Sequence, residues 1–329
     1  MIVRTLCSAI SPAGIRARLS VLIFHRVLAA PDPLLAGDPC ISRFDEMMGW
    51  IKQWFNVLPL DEAVVRLGTG SLPARAAAIT FDDGYADNLL CAVPVLKRHG
   101  LHATFFIATG FLDGGIMWND RIIEAVRHAR ADKIAADRLN LGTVGVATSA
   151  EKCAALDRLI PAIKHLPPDK RLDMVESVAE ACGAELPRDL MLTSDQLIEL
   201  RDSGMAIGAH TVSHPILALL SHAQARQEIT ESRDRLESLL GQPVPLFAYP
   251  NGKYGTDYKD EHVRMLRSLG FSAALTTTPG AARATTDPWQ VPRFTPWDRT
   301  RLRFGLRLVD NFRRYGPAAP TAAQPHQAR

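Results

Sequence analysis

The stretch "AAITFDDGYADN" (residues 77–88) frames the reading of this chain. An apolar run ends in two adjacent acids, Asp82 and Asp83, followed by a glycine. The longer run "ARAAAITFDDG" has the length and composition of a buried strand. Neighbouring carboxylates repel, and burying either costs free energy unless it is paired or bound to a cation. Two acids at the end of such a strand therefore require cationic partners elsewhere in the chain.

Working outward, "SVLIFHRVL" (20–28) reads as an earlier buried strand. "SRFDEMMGWIKQWF" reads as a helix with Ser42 as its N-cap. "ADNLLCAVPVLKRHG" is a helix closing at Gly100, with Pro94 in its first turns. Further strands are expected at "HATFFIATG", "MAIGAHTVSH", "PLFAYPNG", "FSAALTTTPG" and "WQVPRF", with helices at "SHAQARQEITESRDRLESLLG" and "DEHVRMLRSLG". Alternating strands and helices predict an α/β fold, a parallel sheet with helices outside that is either open or closed into a barrel. Residues 114–187 break the rhythm: their pattern is helical, with no convincing strand, and reads as an insertion beside the main domain. Residues 1–18 are an N-terminal extension, and the Pro/Ala-rich tail after Tyr315 is expected to be disordered.

Composition narrows the function classes. The chain has 329 residues, 47% of them apolar, enough for a sizeable core. A net charge of +3 with 22% charged residues does not suggest nucleic-acid binding. Five scattered cysteines without CxxC spacing read as free thiols in a reducing compartment and argue against a thiolate metal site. The N-terminus has no clean signal-peptide core, and no apolar segment is long enough to span a bilayer. The expectation is a soluble, cytoplasmic protein.

The chemical groups fall at the C-terminal ends of the expected strands, the usual active-site face of an α/β barrel. Asp82-Asp83 lies on one strand, and "HTVSH" places His210 and His214 on another. Two histidines at i and i+4 plus a carboxylate match a metal site with open positions. One acid then ligates while its neighbour stays off the metal as a base. Alone, an HxxxH pair is more often two surface or capping histidines, and Asp-Asp-Gly more often a solvated turn. Their combination on one alternating series favours the metal site.

"TFDDGYADN", "HTVSH" and "FAYPNG", in this order, resemble the polysaccharide deacetylase family, the NodB-homology domain of carbohydrate esterase family 4. The resemblance covers residues 19–298. It implies a distorted (β/α)7-type barrel and a hydrolase that removes acetyl groups from sugar polymers with one divalent metal, expected to be Zn2+. It implies Asp82 as general base and Asp83, His210 and His214 as metal ligands. The backbone N–H of Asn251 would hold the oxyanion, with Tyr249 beside it facing the substrate. The implied substrate is an acetylated glycan or a lipid-linked glycan.

Two family positions differ. Ala248 stands where an arginine usually orients the base, and Thr277 where many members carry a histidine acid. Both departures resemble a branch that includes poly-N-acetylglucosamine deacetylases, which begin with a strand ending in Tyr/Phe-His, here Phe24-His25. His25 reads either as a structural residue in the barrel mouth or as a catalytic one. Arg293 reads either as a solvated strand end or as the guanidinium that Ala248 cannot supply. The second is preferred, because a buried carboxylate base needs an orienting donor. Trp118 and Trp297 read as packing residues or, if exposed at the rim, as platforms for a sugar ring. Two other functions stay open: an amidase of the same barrel acting on a small non-sugar amide, and a carbohydrate-binding pseudoenzyme.

The segment 298–316 is rich in arginine and amphipathic. It reads as a helix docked on the barrel with its arginines in water. The alternative is a basic helix that touches an anionic membrane.

Overall fold

The computed structural model describes residues 2–296, 298 and 300–314. The expectations for Trp297, Arg299 and the tail after Tyr315 lie outside the described residues. The strands are β1 (Leu19–Phe24), β2 (Asn56–Val57), β3 (Ala76–Phe81), β4 (Thr104–Ile107), β5 (Lys133–Ala135), β6 (Thr143–Gly145), β7 (Ala206–Ala209), β8 (Leu246–Ala248), β9 (Ala273–Leu275) and β10 (Arg293–Phe294). The helices are α1 (Ile2–Ile10), α2 (Ile41–Trp54), α3 (Leu60–Gly68), α4 (Val93–His99), α5 (Trp118–Arg127), α6 (Ser149–Lys164), α7 (Pro168–Cys182), α8 (Ser194–Asp202), α9 (His222–Leu240), α10 (Asp260–Ser268) and α11 (Arg301–Arg313).

Seven strands form one path, β10-β1-β3-β4-β7-β8-β9, and all their pairings are parallel. The residues leading into β10 return to β9, through Thr276 N–H to Val291 O and Val291 N–H to Ala274 O, both 2.9 Å. The result is a nearly closed barrel of the expected (β/α)7 type. Every residue of β1 and β3 is buried, as expected for parallel strands covered on both faces.

The period-2 alternation of strand side chains decides what faces the barrel axis. Ala76, Ala78, Leu19, Val21, Leu246, Ala248, Ala273 and Leu275 share an interior cluster with Phe106. Small alanines leave room there for the Phe106 ring. It lies so close to Gly208 that a Cβ at that position would come within 2.4 Å of it. Asp82 continues the inward series of Ala76, Ala78 and Thr80 one residue past the strand end. The alternate residues Ala77, Ile79 and Phe81 pack outward with Phe24, Phe44 and Phe105 under the helices.

Most elements fall where the sequence places them, including Pro94 in the first turn of α4 and Gly100 closing it in the left-handed region. Ser42 is not the cap of α2. Cys40 occupies that position in an extended conformation, no side chain caps the helix, and Ser42 already lies in the first turn. The insertion is helical in α5, α6 and α7 but also holds an antiparallel pair, β5 with β6. It has its own apolar cluster, including Ile122, Val126, Leu159, Ile163 and Val175.

The N-terminal extension is largely the helix α1. Its apolar residues recur at helical spacing, and Val3 and Cys7 are buried. The helix ends before Ser11-Pro12. Beside it, α11 docks Phe304, Leu308, Val309 and Phe312 on the barrel, with Phe304 against Trp50 and Trp54 of α2. Gly305 is the tight point of this layer: an added Cβ would meet Val3 Cγ2 at 2.6 Å and the Trp54 ring at 3.1 Å. Overpacking such a contact costs about 1–3 kcal/mol. Gly305→Leu should therefore lower the free energy of unfolding by about that amount, read by urea denaturation.

Candidate active site

The candidate site is built from the C-terminal ends of five strands, β1, β3, β7, β8 and β9. After β3 the chain delivers Asp82 into the barrel axis, then turns at Asp83, whose φ is +77°. That left-handed residue breaks the strand alternation. It lets two adjacent carboxylates share one site while facing different partners. After β7, Thr211 (φ +66°) and His214 (φ +53°) fold "HTVSH" back on itself. After β8, Asn251 (φ +58°) does the same beyond Pro250. Non-glycine residues in this region are costly and persist where surrounding contacts over-determine them.

Those contacts are present in the histidine loop. Glu228 of α9 accepts from Val212 N–H at 2.8 Å, Ser213 N–H at 2.9 Å and the Ser213 hydroxyl at 2.6 Å. His214 N–H donates to Thr211 Oγ1. Glu228 carries no motif signature, and sequence reasoning did not single it out. A tight turn whose neighbouring N–H groups at Val212 and Ser213 need one acceptor is the only signal that could have found it.

Asp82 is buried and paired with an equally buried Arg293 from β10. The two guanidinium nitrogens donate in parallel, Nη1 to Oδ1 at 2.6 Å and Nη2 to Oδ2 at 2.7 Å. Arg293 Nε donates to Thr276 O at 2.9 Å, so the fork is fixed in the barrel. Burial pushes the Asp82 carboxyl up, but Arg293 and then His210 outweigh it and hold the group below its ordinary range. Arg293 stands where the missing arginine at Ala248 would be needed.

Asp83, His210 and His214 bring one candidate ligand atom each within 4.8 Å of one another. Asp83 Oδ1 lies 3.5 Å from both His210 Nε2 and His214 Nε2. The His210 Nδ1 donates to Ala248 O at 2.8 Å, so Nε2 is the atom turned toward the acids; burial pushes this imidazole down, but Asp82 and Asp83 outweigh it and raise it above its ordinary value. Burial, opposed by Asp83 and reinforced by His210, pushes His214 down to about 4, leaving a neutral imidazole at neutral pH. Burial raises Asp83, yet His210, His214 and His25 outweigh it and keep it ionised. Asp83 Oδ1 and His214 Nδ1 are buried without a hydrogen-bond partner. Two imidazole nitrogens and a carboxylate oxygen without a hydrogen-bond partner fit a divalent cation, which would take the place of a proton on His210 Nε2.

These groups open into a cleft of about 470 Å³. His25, exposed, lines it together with Asn251 and Thr277. Thr277 donates its hydroxyl to Asn251 O at 2.5 Å and so braces the Asn251 turn. Trp118 lines the rim at the start of α5, with the Arg171 guanidinium 5.4 Å over its ring. The insertion also contributes Asp120, Ile123, Ile160 and Lys164, so it forms one wall of the cleft. Asp120 is buried and accepts from Tyr85 Oη at 2.9 Å, and burial, partly offset by that bond and by Arg26, pushes its carboxyl up to about 7. The expectation for Tyr249 fails. Its side chain is fully buried away from the cleft, stacked 3.8 Å from Tyr258, with its hydroxyl donating to Trp289 O.

A parallel barrel whose strand ends carry a carboxylate–arginine pair beside a cluster that could hold a metal ion has the groups expected of a hydrolytic α/β barrel. This chain belongs to the polysaccharide deacetylase family, whose model matches residues 69–142 and 168–274. The Bacillus subtilis protein named "Putative polysaccharide deacetylase YxkH" is 23% identical over 268 residues, 81% of this chain and 67% of that protein. Among solved structures, the Streptococcus pyogenes deacetylase PplD in complex with acetate superposes with a TM-score of 0.61 at 20% identity, covering 89% of this chain and 98% of that one. IcaB from Ammonifex degensii gives 0.59 at 19%, covering 91% and 98%. A de-N-acetylase from Aggregatibacter actinomycetemcomitans gives 0.56 at 18%, covering 90% and 99%. The family makes this protein a deacetylase of the hydrolase class.

The loop clamp is testable through the metal alone. Outer contacts of this kind change metal affinity about 10- to 100-fold. Glu228→Gln should weaken zinc binding by about that factor, measured by competition with a chromogenic chelator, and His214→Ala should abolish it.

Proposed function

We propose that the protein is a metal-dependent N-deacetylase acting on an N-acetylhexosamine-containing glycan or glycolipid. The observation that carries this reading is the Asp82–Arg293 pair set beside Asp83, His210 and His214 in one open cleft. That the structurally similar Aggregatibacter protein is a de-N-acetylase supports the N-acetyl choice. Asp83, His210 and His214 would hold one divalent ion, with Zn2+ suited to the nitrogen-rich set. Once bound, such an ion supplies a Lewis acid for the acetyl carbonyl and eases deprotonation of the attacking water.

The chain's own groups do the rest. Asp82, ionised across the neutral range, accepts the proton of the water, and Arg293 fixes its carboxylate plane. The N–H of Asn251, offered by a strained turn at the cleft, stabilises the oxyanion. His25 lines the same cleft and donates a proton to the leaving amine, the role that Thr277 cannot fill. The Trp118 ring at the rim stacks on a neighbouring sugar.

Asp82→Asn should keep zinc and lose at least about 100-fold in kcat on an acetylated oligosaccharide, because the base is not a ligand. Turnover within a few-fold of the unaltered protein would assign the proton to another group. A panel of acetylated oligosaccharides of differing linkage, scored by amine release, tests the substrate class.

Arg293→Met should act through pH. The folded Asp82 carboxyl sits below its unfolded value, so the pair contributes stability above the unfolded carboxylate range and loses it as pH falls through the folded value. Without Arg293, the burial that raises Asp82 is opposed only by His210 and His25, and the acid limb of kcat/KM should move to higher pH. Breaking a buried pair from one side also costs about 3–5 kcal/mol of stability, checked by thermal unfolding at neutral pH.

A further inference from the structure

Nine large apolar side chains stand exposed among the described residues, and four of them lie on two short segments, 2–18 and 300–314. Ile2, Ile15, Leu302 and Leu306 have 71%, 69%, 62% and 46% of their surface in solvent. The same segments carry Arg4, Arg16, Arg18, Arg301, Arg303, Arg307, Arg313 and Arg314 against the single acid Asp310. That is a net +7 within a chain of net +3, so the remaining residues together carry −4.

The fold gathers these residues on one side. Val3 sits against Gly305, so α1 and α11 lie side by side at that level. At their other ends Ile10 and Arg313 line a common cavity, so the two helices run in the same direction. Ile2 precedes Val3, while Leu302 and Leu306 stand one helical turn before and one residue after Gly305. Ile2 on α1 and Leu302 and Leu306 on α11 therefore stand near this contact, with Arg303 next to the two leucines, while Arg4 leaves α1 on a different side from Ile2. Farther along, Ile15 and the arginines Arg16, Arg18, Arg283 and Arg313 line a cavity of about 750 Å³ that has no acidic residue among its described lining. No residue of either segment lines the catalytic cleft.

We propose that this face is a peripheral docking surface for an anionic phospholipid bilayer. Protruding aliphatic tips enter the interfacial zone while the arginines meet lipid phosphates. A second copy of the chain is a poor occupant, since a symmetric contact would press two arginine-rich surfaces together. No described helix is long and apolar enough to cross a membrane, so the contact is superficial. The catalytic cleft stays free to receive a glycan while the protein is bound.

The test uses the full chain and sedimentation with vesicles of phosphatidylcholine, alone or with about one third phosphatidylglycerol. Binding to the anionic vesicles only, lost in high salt, is expected. Leu302→Glu/Leu306→Glu should abolish it with an unchanged melting temperature. Arg303→Gln/Arg313→Gln should weaken partitioning about 25-fold, each charge near the surface being worth about fivefold. Val65→Glu, an equally exposed site elsewhere, should bind as the unaltered protein does. The proposal is overturned if the unaltered protein stays in the supernatant, binds neutral vesicles equally well, or binds undiminished after the Leu302/Leu306 change. It is also overturned if sedimentation equilibrium shows a dimer that this change dissolves, which would make the face a self-association surface.

Discussion

The two-pronged bond between Arg293 and Asp82 ties the barrel to its chemistry. Neither group could lie inside the barrel alone, because an unpaired buried charge costs several kcal/mol. Together they link the last strand to the third element of the sheet path and occupy the space above Phe106. The alanines of β3 and Gly208 make that space available. The pairing also depends on strand order: β10 lies next to β1, and β1 next to β3, with Arg293 level with Val21 and Ala78, so the long arginine side chain spans the distance up to Asp82.

The adjacent acids at the end of β3 are thereby separated into two electrostatic environments. Asp82 faces a fixed arginine, and Asp83, turned by its positive φ, faces two histidines. Each acid has a cationic or metal-ready neighbour, so neither must neutralise the other. A carboxylate held by an arginine stays ionised and oriented, as a base requires. A carboxylate oxygen left without a donor is suited to a cation.

Much of this was legible in the sequence, for identifiable reasons. The seven barrel strands are short apolar runs bounded by glycine, proline or polar residues, and that pattern survives without tertiary information. Asp82, Asp83, His210 and His214 could be named because each pair follows such a run. Arg293 could be nominated only because a buried base needs a donor and Ala248 offers none. What was not legible depends on contacts between distant segments. Tyr249 sits in the same motif as Asn251, yet strand alternation sends its ring into the core. The hairpin of β5 and β6 has three residues per strand, too few for a period to register. Glu228 is one acid among many on an exposed helix until the histidine loop folds over it. The helix at residues 2–10 was hidden because an apolar stretch at a chain start is first weighed as a targeting signal.

The insertion has its own apolar cluster, separate from the layers around the barrel, and still lends Trp118, Asp120, Ile160 and Lys164 to the cleft. In the function proposed above, recognition and reaction fall to different packing units. Residues at the strand ends are constrained by the barrel's closure and admit little change. The facing wall can be re-sculpted by repacking α5, α6 and α7 among themselves, leaving the ion pair and the histidine loop undisturbed. A lineage built on this plan could exchange one glycan for another by altering the wall alone, keeping a fixed reaction centre behind an interchangeable mouth.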